Sequence, residues 1–465
     1  MVEAKALVRA ALATWALPTD VERLSDHDLL TGLGLDSVAL IALTAELQQR
    51  ADVVIDDELL FSPGLSIAML AEAVTNTASG PAATATDVEV AGLGAVAPTG
   101  HGITELWESL LSGQAHRVPS PYPLPRAHLV GAVPGAGDAE ITDPDRLFTL
   151  LWTAAEEALG DAGVTDRERI HLVVATTDTG GNALGHALDT ARGSGGTRAG
   201  SPFVGTLARR AAAALGLGGS ATVIGSASAS GAVAVGHALD LLRSAEAEEV
   251  LVVGTDTVSR TAFHGLAALR TLSPLGCHPF SSERGGIAVS ESAAALLLRR
   301  SGTASNGPSR GRLAGYGGSS RTTHLAAPEA AGIELAVRRA LADAGIEPSD
   351  VSFVNTHGPG TKLGDVAETD ALQAVFGAGL PGLPINSSKG VLWHCQGTAG
   401  VIESQVCLLS LAHQVLTPTT GTDPADPRFA DLDIVREPRA HPARYALSVS
   451  CGLGGVNTAL VWERA

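Results

Sequence analysis

Aromatic residues are scarce in this 465-residue chain: Phe, Trp and Tyr together make up 3%. The core must therefore be assembled from Ala, Val and Leu, and 54 glycines imply many tight turns around it. Cysteine is scarcer still. The four present, Cys277, Cys395, Cys407 and Cys451, are too few and too scattered for a disulfide framework or a CxxC zinc site. No bound metal is expected, and a reducing cytoplasm is the natural compartment. No apolar run reaches the roughly 18 residues of a membrane span, and no signal-peptide pattern opens the chain. The expectation is a soluble, unexported protein. Positive charge is also short: 31 Lys and Arg stand against 49 Asp and Glu, a net charge of −18. That balance argues against nucleic acid or an anionic membrane as the main partner, since both reward clustered cations.

What is present divides the chain in two. From Val2 to about Val74 the text is helical: an apolar-periodic opening, a "PTD" break, then "SVALIALTAELQQR" and "LSIAMLAEAV". The first 80 residues hold 12 acids against 4 bases, so this segment is disproportionately acidic. The stretch "TNTASGPAATATD" (75–87) lacks apolar periodicity and has the composition of a linker. From Val88 onward strand-like runs such as "VEVAGLGAV", "HLVVATT" and "EEVLVVGTDT" alternate with helices such as "LFTLLWTAAEEALGDAGV" and "GIELAVRRALADAGI". This alternation predicts a mainly parallel sheet covered by helices. No short repeat is visible, and a distant duplication of an α/β unit would not show in the letters.

The acidic segment contains "LGLDSV" (33–38), which puts Asp36 and Ser37 at the start of an amphipathic helix. A helix cap alone accounts for such a pair. Its context, a compact acidic helical segment, resembles an acyl carrier protein over nearly all of Val2 to Val74. The resemblance implies that Ser37 carries covalent 4′-phosphopantetheine, attached by a phosphopantetheinyl transferase. Val38 stands where the family usually has Leu. A helix N-terminus favours the attached phosphate, and the acidic neighbouring helix offers charge to basic faces of partner enzymes.

Three stretches of the larger segment belong together: "SASASGA" (226–232), "NTHGPGTKLGD" (355–365) and "SSKGVLWHCQGTAGVIE" (387–403), followed by the closing "CGLGGVN". Taken in order they resemble a β-ketoacyl synthase of the thiolase-like superfamily, over about Val88 to Ala465. The implied fold class is a helical carrier bundle (1–74), a linker (75–87) and a layered αβαβα thiolase-like domain (88–465). At the family's nucleophilic cysteine this chain has Ser228, before a helix whose amides suit a nucleophile or an anion. A thiol is easily activated by that field, whereas a hydroxyl needs a positioned base.

The resemblance further implies that His357 and His394 donate N–H groups to a malonyl thioester and stabilise its enolate, one of them also deprotonating Ser228. Lys389 and Glu403 match supporting catalytic positions, Asp365 and Glu368 match structural ones, and Thr361 matches a contact to the phosphopantetheine arm. The backbone amides of Ser228 and Leu453 correspond to the oxyanion hole. Three further positions depart from the pattern. Pro359 replaces an arm-contacting Thr, and Cys451 and Leu453 replace two aromatics, which implies a wider acyl tunnel. Cys451 is either a small packing residue or a relocated thiol that takes the acyl group instead of Ser228.

Three functions remain open on the sequence. The first is a polyketide-type condensing enzyme that moves an acyl group from a carrier thioester to Ser228 and joins it to a malonyl-derived enolate. The second is a repurposed acyltransferase to an amine or alcohol, or a malonyl-carrier decarboxylase. The third is a non-catalytic, chain-length-factor-like partner with Ser228 as filler. Retention of both histidines favours enolate chemistry. Carrier-protein thioesters are the expected partners, in a homodimer or in a heterodimer with a second ketosynthase-like subunit.

Overall fold

The computed structural model describes residues 2–13, 21, 24–30, 40, 43, 44, 47, 65–77, 87–135, 138–178, 181, 182, 204–303, 307–321 and 327–465. The chain separates into two compact units, 1–85 and 86–465.

In the first unit, helices α1 (Val2–Leu12) and α2 (Ile67–Thr77) are described. Their apolar stripes bury Val8, Leu12, Leu70 and Val74 together with Leu40, Leu43 and Leu47 from the intervening chain. Arg9 ties the loop to α1, donating to the carbonyls of Val21 and Leu24 and, with Lys5, pairing with Asp26. Helix α2 runs to Thr77, three residues into the stretch read as linker.

The second unit is built on one eleven-stranded mixed sheet. Its first five long strands are β1 (Val88–Ala97), β2 (Ile170–Ala175), β3 (Ala221–Ile224), β4 (Glu249–Asp256) and β5 (Ser292–Arg300). The next five are β6 (Arg312–Ser320), β7 (Val351–Asn355), β8 (Ile385–Asn386), β9 (Tyr445–Cys451) and β10 (Val456–Glu463). A short strand, Gly100–His101, pairs with β1. Across the sheet the order is β8-β7-β9-β10-β6-β1-β5-β4-β2-β3. Each half therefore repeats the same pattern, third-second-fourth-fifth-first, and the halves meet where Val88 and Glu89 pair with Leu313 and Arg312. This is the duplication that the letters conceal.

The expectation of a mainly parallel sheet needs correcting. Within each half the second strand is parallel to its two neighbours, but the fourth, fifth and first strands pair antiparallel. For β9 and β10 the cause is a tight turn between them. Gly454 and Gly455 adopt φ of 86° and 78°, and the turn they make folds β10 straight back on β9.

Helices fill three layers. Packed outside the first half are α3 (Arg146–Asp161) and α4 (Val204–Leu215). Between the halves lie α5 (Ser230–Arg243) and, later in the chain, α8 (Ala399–His413); outside the second half are α6 (Ala330–Ala344) and α7 (Gly364–Phe376). Because both sheet faces are covered, β4 reads as an apolar run: Val250 and Val252 face the central layer, Leu251 and Val253 the outer one. The two central helices touch at their first turns, where both lack a side chain. A Cβ on Gly231 would lie 2.8 Å from the Val401 amide nitrogen, and one on Gly400 would lie 2.3 Å from that of Ala232. Among the described residues no helix is long and apolar enough to cross a membrane.

Candidate active site

Ser228 sits on the turn between β3 and α5. Ala227, just before it, has φ of 49°, a left-handed conformation that costs a non-glycine residue about 1 kcal/mol and has to be held in place. Ser230 holds it: its Oγ accepts from the Ser226 amide at 2.8 Å and donates to the Ala227 carbonyl at 2.6 Å. The cap of α5 is Ala229, which has no side-chain acceptor, so the positive end of the helix faces the Ser228 region without an internal anion. Among the described residues, no hydrogen bond is made to the Ser228 hydroxyl.

His357 and His394 arrive from the second half, after β7 and after β8. Their rings stand edge to face with centroids 5.4 Å apart, and both are buried. Glu368, on α7, accepts the His357 amide at 2.6 Å and the Gly358 amide at 2.8 Å. Asp365 does the same for Phe280, Gly360 and Thr361. These two acids hold the loop through its backbone amides. His394 is gripped by its backbone, donating to the Ala288 carbonyl and accepting from the Ser290 amide. Its Nδ1 accepts the Gln396 amide at 2.9 Å. That contact leaves the proton on Nε2, so His394 presents an N–H donor.

Burial lowers both imidazole pKa values, and the Lys389 ammonium adds to it: His394 falls to about 3 and His357 goes well below its ordinary range. Both rings are therefore neutral near pH 7. Lys389 itself is fully buried and pairs with Glu403 on α8. The pairing with Glu403 fixes the position of the ammonium whose charge the two imidazoles feel.

Ser228, His357, His394, Thr361, Cys451 and Leu453 line one cavity of about 360 Å³. Lys389 and Glu403 lie outside its lining. Gly452 brings the closing loop against the Ser228 turn: a Cβ there would be 2.9 Å from the Ser226 carbonyl oxygen. Thr361 Oγ1 accepts the Gly364 amide at 3.0 Å, which leaves its hydroxyl hydrogen for a ligand. Pro359 has no hydroxyl, so of the two positions that the resemblance matches to arm contacts only Thr361 carries a side-chain donor. A larger cavity of about 680 Å³, around the far end of α8 at His413, holds none of these residues. Ser37 lies outside the described residues.

The thiols differ from the hydroxyl. Burial, with Glu368 nearby, pushes the Cys451 pKa well above its ordinary value, so its thiol stays protonated. Cys395 is buried against Ser290, 3.3 Å away.

Sequence reasoning passed over Asp256 and Gln396. Asp256, at the end of β4, is fully buried, and its Oδ1 accepts from Thr176 Oγ1, both donors of Thr177 and the Asp178 amide at 2.8–3.0 Å. Its Oδ2 accepts the Gly397 amide at 2.6 Å. Gln396 donates through Nε2 to the Thr257 carbonyl. The only signal for Asp256 was an acid closing the apolar run "VLVVGTD".

This fold and this constellation define a thiolase-like condensing-enzyme scaffold. The chain matches the models for the β-ketoacyl synthase N-terminal domain over 85–304 and C-terminal domain over 310–423, and that for the phosphopantetheine attachment site over 7–74. The last of these spans Ser37 and marks the segment as a carrier for covalent 4′-phosphopantetheine.

It is 31% identical over 401 residues to nodulation protein E of Rhizobium meliloti (strain 1021), covering 81% of this chain and 99% of that protein. It is 30% identical to 3-oxoacyl-[acyl-carrier-protein] synthase 2 of Staphylococcus aureus (strain COL), covering 81% and 98%. Among solved structures it resembles the ishigamide ketosynthase/chain length factor, with a TM-score of 0.74 and 27% identity over 82% of this chain and all of that one. A β-ketoacyl synthase from Burkholderia phymatum STM815 gives a TM-score of 0.73 and 26% identity, with the same coverage. The chain belongs to the β-ketoacyl synthase family, with a carrier domain in front.

Proposed function

We propose that this chain is a serine-dependent condensing enzyme of polyketide-type assembly, with residues 1–74 as its carrier and 75–87 as the joining segment. The observation that carries the reading is the meeting, in one cavity, of Ser228 on a strained helix-starting turn and two buried, neutral histidines. When attached at Ser37, 4′-phosphopantetheine supplies the thiol on which acyl groups travel as thioesters.

In the first half-reaction Ser228 Oγ attacks an acyl-carrier thioester. The C–O bond forms, the C–S bond breaks, and the serine proton ends on the departing thiol. His394 cannot take that proton, because its Nε2 already carries one. The task falls to His357, whose buried Nδ1 has no hydrogen-bond partner among the described residues and keeps the ring free to exchange protons. The Ser228 and Leu453 amides receive the oxyanion.

In the second half-reaction the His394 and His357 N–H groups bind a malonyl thioester oxygen while the bond to the carboxylate breaks. Carbon dioxide leaves and the electron pair stays as an enolate. The enolate attacks the Ser228 ester, forming the C–C bond and breaking the C–O bond. Ser228 recovers its proton from solvent, so each turnover consumes one proton. Burial, with the Lys389 ammonium adding to it, keeps the histidines neutral. The expected assembly is a homodimer, and the ketosynthase and chain-length-factor pairing named among the structural neighbours keeps a heterodimer as the second form.

The test loads the carrier with an acyl arm, adds malonyl carrier protein, and follows intact mass and products for wild type, Ser228→Ala, Cys451→Ala and His394→Ala. An acyl adduct lost only in Ser228→Ala, with a β-keto product, is expected. Malonyl loss that persists in Ser228→Ala, without any acyl transfer in wild type, would make the protein a decarboxylase instead. The free Ser228 hydroxyl is what keeps that second reading in view.

A further inference from the structure

We propose that Asp256 is a positioning residue for the enolate-forming half of the reaction, acting through the Gln396–Gly397 backbone to fix the donor tautomer of His394. The inference rests on the functional reading above. Its basis is a chain of contacts: the Asp256 carboxylate holds the Gly397 amide, and the adjoining Gln396 amide occupies His394 Nδ1.

The hold is two-pronged. Gly397 is bound through its backbone to Asp256, and Gln396 is bound through its side chain to the carbonyl of the next residue, Thr257, at 3.0 Å. Both anchors therefore lie at the end of β4. They restrain a dipeptide that would otherwise relax, since Gln396 has φ of 52° and Trp393, on the other side of His394, has φ of 60°. Gly397 leaves no slack either: a Cβ there would be 2.8 Å from Asp256 Oδ2. Asp256 is itself immobilised by the four donors of Thr176–Asp178.

The chemistry depends on this restraint. If the Gln396 amide moves off Nδ1, the neutral ring can place its proton there, and Nε2 becomes a lone pair. A lone pair aimed at an enolate oxygen repels it, where an N–H would bind it. Acylation of Ser228 draws instead on the helix turn and His357, which Asp256 does not touch. The two half-reactions should therefore respond differently.

The experiment uses the full chain with Asp256→Asn, which keeps the shape but exchanges an acceptor oxygen for a donor. Release of carbon dioxide from malonyl carrier protein is expected to fall by about tenfold to a hundredfold, as when an oxyanion donor is mis-aimed, with Ser228 acylation within about threefold of wild type. In parallel, two-bond proton–nitrogen spectra of the [15N]histidine-labelled chain report the His394 tautomer, its signal being the one missing from His394→Ala. Wild type should show Nε2–H alone and Asp256→Asn a mixture.

An unchanged tautomer would overturn the proposal, as would a proportionate loss of both half-reactions. Gln396→Ala, which removes the other prong but keeps the strained φ, should shift the spectrum the same way should Asp256→Asn fail to fold. The spectrum does not need turnover: an inert wild type would sink the functional reading while the tautomer still decides the role of Asp256.

Discussion

A hydroxyl and a thiol ask different things of their surroundings, and Ser228 makes the difference measurable. Its turn offers a helix field but no hydrogen-bonded base, an arrangement that suits a thiol better. Ser228→Cys is therefore expected to acylate at least about tenfold faster at pH 7.5, read by intact mass at short times. In the same samples iodoacetamide should modify the thiol introduced by Ser228→Cys well before that of Cys451, whose raised pKa keeps it protonated. At this scale the motifs were legible because residue type and spacing carry them. The tautomer of His394 was not, since it depends on the direction of one backbone N–H from Gln396. Asp256 was equally hidden: a carboxylate at a strand end acquires meaning only through the loops that close over it.

The strand-turn-helix element from β3 to α5 works as a unit, with Ser230 fastening the turn that lifts Ser228 into the cavity. Ser230→Ala removes one donor and one acceptor from a fully buried site and should destabilise the domain by about 1–3 kcal/mol, seen as an earlier urea midpoint. Acylation should slow as well, because Ala227 is then free to leave its strained conformation. Element boundaries and strand directions were the less readable part of the sequence. The carrier's last helix extends into "TNT" although those residues carry no apolar pattern, since local propensity alone does not end a helix. The antiparallel pairs escaped a pattern of alternating strands and helices, because a buried strand looks alike in either direction.

Across the whole molecule, buried acids set the pH response. Burial raises Asp256 to about 7, Glu368 to about 8 and Asp365 to about 6, against about 4 for an unfolded carboxyl. The native state thus keeps protons that the unfolded chain has released, and stability falls as pH rises towards 8. His357 and His394 act in the other direction below about 6.5, where the unfolded rings gain protons that the native rings refuse. Melting temperatures should accordingly decline between pH 6.5 and 8.5, as scanning calorimetry in matched salt would show. The twofold repetition of the sheet could not be seen in advance, because it lives in long-range pairing and not in similar letters. Its two copies also touch backbone to backbone where Gly231 meets Gly400. One copy brings Ser228 to the cavity and the other His357 and His394, so this bare crossing sets the spacing of the site: a single methyl group added at either glycine would meet backbone of the facing helix and prise the two halves of the cavity apart.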